Sequence, residues 1–410
     1  MTLSLPRRLS LVLGLTQTLA WATTFYLPAV IVEPVAASTG VSPTVLVGGF
    51  SWALLVAGLT SPRVGRHIEH AGGRGALAGG AVAMAVGLVL MAALPGVAGW
   101  YAGWTVTGVG MALGLYDAAF ATIGRLVGQQ ARSAIVGVTM MAGFASTVGW
   151  PMGVGLVHLL GWRATLLAYA AIQLGVNLPL LLSLVPRAEP APPAARPHAA
   201  GPGRSRSKVG RAERDRVETP RVGTGNNGRG PLVLLGAFLC VRAAISAIVS
   251  VQALTLLHGI GLGASGAVAV AALFGPFQVI GRLAEWGLER WLDPLATSIL
   301  GAVLLPAGIA ALFGGAPAFV FAAGYGMSNG ILTITRGALP MHLFGAQGNA
   351  TRLGQLALPQ LLAQALAPTV LTPLVLAWPA LDVLGAVGAA AAFALAILVA
   401  TAFAIRPAPA

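Results

Sequence analysis

Apolar runs long enough to cross a membrane recur along almost the whole chain. A bilayer core takes about 20 apolar residues in a helix. Runs of that size fall near 9–32, 44–64, 75–94, 99–123, 134–158 and 164–186, then near 231–256, 264–284, 294–313, 317–342, 351–376 and 379–404. This pattern predicts an all-α membrane protein of 12 transmembrane helices, with one six-helix half over 1–186 and another over 231–410. Lipid offers no hydrogen-bond partners, so each span must satisfy its own backbone, as a helix does. Only 9% of the residues are charged, against roughly a quarter in a soluble domain. Such a chain cannot cover a water-facing surface. A single cysteine, Cys240, excludes a disulfide framework and a Cys-based metal cluster. No HExxH or P-loop motif occurs. The chain is therefore not expected to be an enzyme, and no cofactor or metal is expected.

The segment 187–230 separates the halves. From Arg187 to Arg229 it holds 10 of the 24 Lys and Arg and has no Leu, Ile, Phe, Trp or Tyr. It cannot bury a core, and it reads as a basic, disordered, cytoplasmic linker. The net charge of +13 is thus concentrated where a cytoplasmic loop would carry it, so no nucleic-acid partner is expected. The N-terminal run is too long for a signal-peptide core of roughly 7–15 residues. Twelve spans put both termini on one side. Arg7, Arg8, Arg63, Arg66, Arg74, Arg125, Arg132, the linker set, Arg282, Arg290, Arg352 and Arg406, together 21 of the 24, fall on that side. Only Arg163 falls opposite, and Arg242 and Arg336 lie within spans. This sorting predicts a multi-pass protein of a bacterial inner membrane with both termini cytoplasmic, a monomer in membrane lipid.

The halves repeat. A shift of 216 superposes Gly65, Arg66, Glu69 and Arg74 on Gly281, Arg282, Glu285 and Arg290, and Gly110, Met111 and Gly114 on Gly326, Met327 and Gly330. A shift of 217 matches Gly128, Gly137 and Pro151 with Gly345, Gly354 and Pro368. Repeated halves with a site at their interface are a transporter architecture. The loop after the second span, "GRHIEHAGGR", resembles the loop signature of the major facilitator superfamily (MFS), with Gly65, Glu69, Gly72 and Arg74 in the signature places. Glu69 stands where the family has Asp, and His70 and Gly73 stand at basic positions. The second copy, "GRLAEWGLER", is weaker. The resemblance implies a secondary transporter working by alternating access. It also implies that Gly65, Arg66, Glu69, Gly72, Arg74, Arg282 and Glu285 form a gate, the alternative for Glu69 being a solvated loop charge. Two markers of the family's drug–proton antiporters fit poorly. Trp104 stands where they carry an Arg, and "GFASTVGWPMGVG" has the glycines and a proline at altered spacing.

The resemblance also assigns the first and fourth helices of each half to a central cavity. Gln17, Trp21, Thr24 and Pro28 share one helical face, as do Asn329, Thr333, Arg336 and Pro340. Arg242 and Ser246 lie one turn apart in the seventh span. Polar faces on apolar spans must turn inward. Gln17, Trp21, Thr24, Arg242, Ser246, Asn329, Thr333 and Arg336 are the candidate substrate-binding residues; interhelical bonding or packing is the plainer role for several. Asp117 is the one carboxylate well inside a span. It is either the coupled proton's carrier or a fixed partner for an intramembrane Arg. Arg336, in "GILTITRGALP", either snorkels to the surface or binds an anion through paired donors. The expected function is proton-coupled transport of a small organic solute, expected to be anionic because the spans hold more Arg than carboxylate. Proton-driven efflux of a toxic or drug-like compound is the alternative within transport. A transporter-like sensor or scaffold is the alternative outside it.

Overall fold

The structure, a computed structural model, describes residues 4–187 and 229–405. Most of the basic linker read over 187–230, and Arg406, lie outside the described residues. Helix is the only regular structure among the described residues. In the first half, α1 (Leu5–Thr23) and α2 (Pro28–Thr39) make the first span, α3 (Pro43–Ala71) the second and α4 (Gly73–Ala93) the third. The fourth is α5 (Gly96–Gly114) followed by α6 (Tyr116–Val127). The fifth is α7 (Ala131–Ala142) with the first part of α8 (Ala145–Ile172). The rest of α8, a π-helical turn over Gln173–Asn177 and α9 (Leu178–Leu184) make the sixth. The second half holds α10 (Arg229–Gly259), the pair α11 (Ala264–Ala272) and α12 (Phe274–Leu288), α13 (Pro294–Phe313), α14 (Ala318–Phe344), α15 (Asn349–Ala377) and α16 (Ala380–Ile405).

Among the described residues, 10 helical stretches are long and apolar enough to cross a membrane. One of them, Ala131–Leu184, is two spans: the chain reverses at Gly161, whose φ of 78° needs glycine, and Tyr169 folds back on Gly149. Helix α15 has the length, but Asn349, Arg352, Gln355, Gln360 and Gln364 dilute its apolarity. Splitting the first and adding the second restores the expected six plus six.

Three expectations need correction. The signature read as a loop is the last turns of α3, because nothing in Gly65–Ala71 stops a helix before Gly72, whose φ of 85° does. The face drawn through Gln17, Trp21, Thr24 and Pro28 breaks after Thr23. Pro28 has no N–H to give the Thr24 carbonyl, and the Tyr26 N–H turns back to the Trp21 carbonyl at 3.0 Å. The fourth span also breaks, at Leu115, which is extended with ψ −167°. There Gln17 Nε2 donates to the Gly114 carbonyl at 2.6 Å, the acceptor that a continuing helix would give to Ala118. This break puts Asp117 in the first turn of α6, where the helix dipole favours an anion.

The halves meet most closely where α3 lies along α15. A Cβ on Gly65 would stand 3.0 Å from the Gly354 Cα, so two glycines let the backbones touch.

Candidate functional site

A cavity of about 850 Å³ lies between the halves. The first half lines it with Trp21, Phe25, Tyr26, Tyr116, Thr147 and Trp150. The second half lines it with Arg242, Ser246, Gln278, Arg282, Tyr325, Asn329, Thr333, Arg336, Gln360 and Gln364, among others. The first-half wall is thus rich in aromatic rings, and the second-half wall, which also holds apolar side chains, carries all the cationic groups.

Arg336 is held by a carboxylate of the other half. Its Nη2 donates to Asp117 Oδ2, an ion pair that joins α14 of one half to α6 of the other. The pair lines a small recess against Trp21, Tyr116 and Gln364 at the edge of the cavity. Arg336 does not snorkel. Arg242 finds a neutral acceptor instead: its Nη1 donates to Asn329 Oδ1 at 2.9 Å. Ser246 donates to the same oxygen at 3.4 Å, and Tyr325 lies 2.9 Å from the Ser250 hydroxyl. The Thr333 hydroxyl donates back to the Asn329 carbonyl. The structure thus brings Trp21, Arg242, Ser246, Asn329, Thr333, Arg336 and Asp117 to one cavity.

Gln17 and Thr24 are not at that surface. Gln17 is buried, and besides gripping Gly114 its Oε1 accepts from Trp21 Nε1 at 3.3 Å. It holds Trp21 in place rather than facing the cavity. Thr24 is buried with its hydroxyl donating to the Ala20 carbonyl.

On the face that bears the chain's N-terminal helix end, two sets of contacts join the halves. Glu69 accepts from the backbone N–H groups of Gly348 and Ala350, each at 2.9 Å. A carboxylate thus caps the start of α15 from the opposite half. Arg125 donates to the Glu69 carbonyl. The second set was not visible as such in the sequence. Arg132, at the start of α7, donates to Glu285 Oε1 at 2.7 Å and to the Leu292 carbonyl at 2.5 Å. Both side chains are buried. The positive-inside sorting places Arg132 among the cytoplasmic charges; the structure buries it in the seam between the halves. Gly65 serves the α3–α15 contact and Gly72 ends α3. Arg66 is exposed and Arg74 half-buried. Arg282 faces the cavity one turn before Glu285.

The family description Major Facilitator Superfamily matches residues 13–368. No curated protein matches the chain by sequence. Solved structures match by fold. The human organic anion transporter MFSD10 (TETRAN) superposes with a TM-score of 0.69 at 16% identity, covering 97% of this chain and 100% of its own. The proton:xylose symporter XylE, bound to 6-bromo-6-deoxy-D-glucose, gives 0.69 at 15% identity, covering 95% and 94%. FucP in the outward conformation gives 0.65 at 13% identity, covering 97% and 99%.

Proposed function

The chain belongs to the major facilitator superfamily of multi-pass membrane transporters, and from that premise we propose that it carries a small organic anion, with a proton as the coupled ion. A transporter of this family is not an enzyme, and the chemistry to explain is selective binding between two moving halves.

One observation carries the reading: the Asp117–Arg336 pair spans the halves at the cavity while Arg242 has only a neutral partner. Arg336 and Arg242 then hold the anion, since a guanidinium presents paired donors that fit a carboxylate. Protonation of Asp117 removes the charge that holds Arg336. The freed guanidinium turns to the substrate, so proton and anion enter together. A small-molecule organic anion fits a cavity of about 850 Å³. With both termini in the cytoplasm, the closed face would be the inner one and the cavity would face outward. Glu69 and the Arg132–Glu285 pair would be the inner gate.

The test is uptake of radiolabelled organic acids into proteoliposomes under an imposed pH gradient. Asp117→Asn is expected to abolish accumulation against a gradient and to spare downhill exchange. Full-rate accumulation by that variant would remove proton coupling from Asp117. Arg336→Lys and Arg336→Gln that fold and transport at the wild-type rate would end the anion role.

A further inference from the structure

Among the described residues Arg282 has no hydrogen-bond acceptor or ion-pair partner. Its side chain leaves α12 in the second half and reaches Gly143 at the end of α7 in the first, where a Cβ would overlap its Nη1. It is 7% exposed and its Nε has no hydrogen-bond partner. The nearby carboxylates are paired with other cations, Asp117 with Arg336 and Glu285 through Oε1 with Arg132, and Glu285 Oε2 is left without a hydrogen-bond partner. A guanidinium carries five donors and cannot shed its charge. Buried without an acceptor it is costly, and an anion entering the cavity would relieve that cost. Arg242 is in a similar position, with only Asn329 and no carboxylate.

The opposite wall is a connected aromatic surface. Trp21 packs on Phe25 with ring centroids 4.5 Å apart and on Tyr116 at 4.7 Å, and Tyr26 meets Trp150 at 5.9 Å. Aromatic faces on one side and guanidinium groups carried by three different helices, α10, α12 and α14, on the other suit a flat apolar body with an acid at each end. The geometry points to an aromatic dicarboxylate as the solute. One carboxylate lies on Arg282 beside Gly143. The other lies on Arg242 and Arg336, with the ring against Trp21 and Tyr116. This inference rests on the organic-anion reading and narrows it.

Three probes separate the two ideas by calorimetric titration of the purified full chain: terephthalate, benzoate and trans-cyclohexane-1,4-dicarboxylate. Terephthalate is expected to bind at least tenfold more tightly than either of the others. Arg282→Gln is expected to bring terephthalate within threefold of benzoate. Gly143→Ala, which keeps Arg282 but pushes its head aside, is expected to act the same way. Trp21→Leu should erase the preference for the planar ring over the saturated one. Equal binding of all three probes to the wild type overturns the proposal. So does an Arg282→Gln variant that binds terephthalate normally but exchanges it slowly, since Arg282 would then serve the movement of the halves. If aliphatic acids bind and depend on Arg336 while the aromatic preference is absent, only this inference fails. If no carboxylate binds at all, the anion reading fails with it.

Discussion

The repeat makes two seams between the halves, and they behave differently. In one, the second span of the first half, α3, runs along the eleventh span, α15. In the other, the fifth span, beginning with α7, faces the eighth, ending with α12. By the offsets of the repeat, Gly65 and Gly354 of the first seam correspond to Gly281 and Gly137 of the second. Gly65 and Gly354 touch each other across the halves. Their counterparts turn inward: Gly281 packs on the Met327 backbone and Gly137 on Ser10, each within its own half. At the second seam these two glycines make no backbone approach across the halves, and Arg132 and Glu285 join them. Above that pair it opens into the cavity between Gly143, Thr147 and Trp150 on one side and Gln278 and Arg282 on the other. The same duplicated template gives a close backbone contact suited to a hinge in one place and an ion pair suited to a latch in the other. The acid of the template is kept in both, but it caps a helix in the first seam and binds an Arg in the second.

Breaking the latch is the largest expected effect. Arg132→Gln leaves the Glu285 carboxylate buried without its cation, a loss of about 3–5 kcal/mol from the closed arrangement. A spin-label distance between the ends of α7 and α12 should lengthen and broaden. An unchanged distance would mean that the seam is held by packing. The hinge comes next. Gly65→Ala forces a methyl group against the α15 backbone, at a cost of about 1–3 kcal/mol. A lowered melting temperature in detergent would register it, and Gly137→Ala, which meets only the Ser10 side chain, should lower it less. If the two glycines respond alike, the seams are less different than their contacts suggest. The smallest effect belongs to Glu69→Gln, which keeps one acceptor for the α15 N–H groups and loses about 1 kcal/mol of charge-assisted bonding. Exchange turnover should fall while binding affinity holds, and equal turnover would remove Glu69 from the gate.

Much of this architecture was legible in the sequence, because burial in lipid imposes a length and a polarity on every span. Asp117 and Arg336 stood out for the same reason: an ionised group far from water must find a partner or a ligand. The helix breaks were not legible. The break at Leu115 depends on Gln17 claiming a carbonyl 97 positions away in the chain. The break before Pro28 had a local signal, a proline, that helical spacing alone passed over. Arg132 and Arg282 were misjudged for a shared reason. Both lie near the ends of spans, where a sequence cannot separate a solvated charge from one that crosses to the other half. Only the meeting of α7 with α12 tells them apart.

The charges around the cavity have an electrical consequence. Arg242, Arg282 and Arg336 face one carboxylate, Asp117, so the unloaded cavity holds two more positive than negative charges. Across a polarised membrane, each elementary charge displaced through the whole field is worth about 2.3 kcal/mol per 100 mV. Reorientation of an empty carrier would then work with or against the voltage, whereas each negative charge on the cargo cancels part of that dependence. An anionic solute of the kind proposed would act as the carrier's counter-ion, and the membrane voltage would set how often the carrier returns empty. A transient current from unloaded protein that shrinks as solute is added would be its signature; a current indifferent to solute would mean the cavity charges do not move through the field.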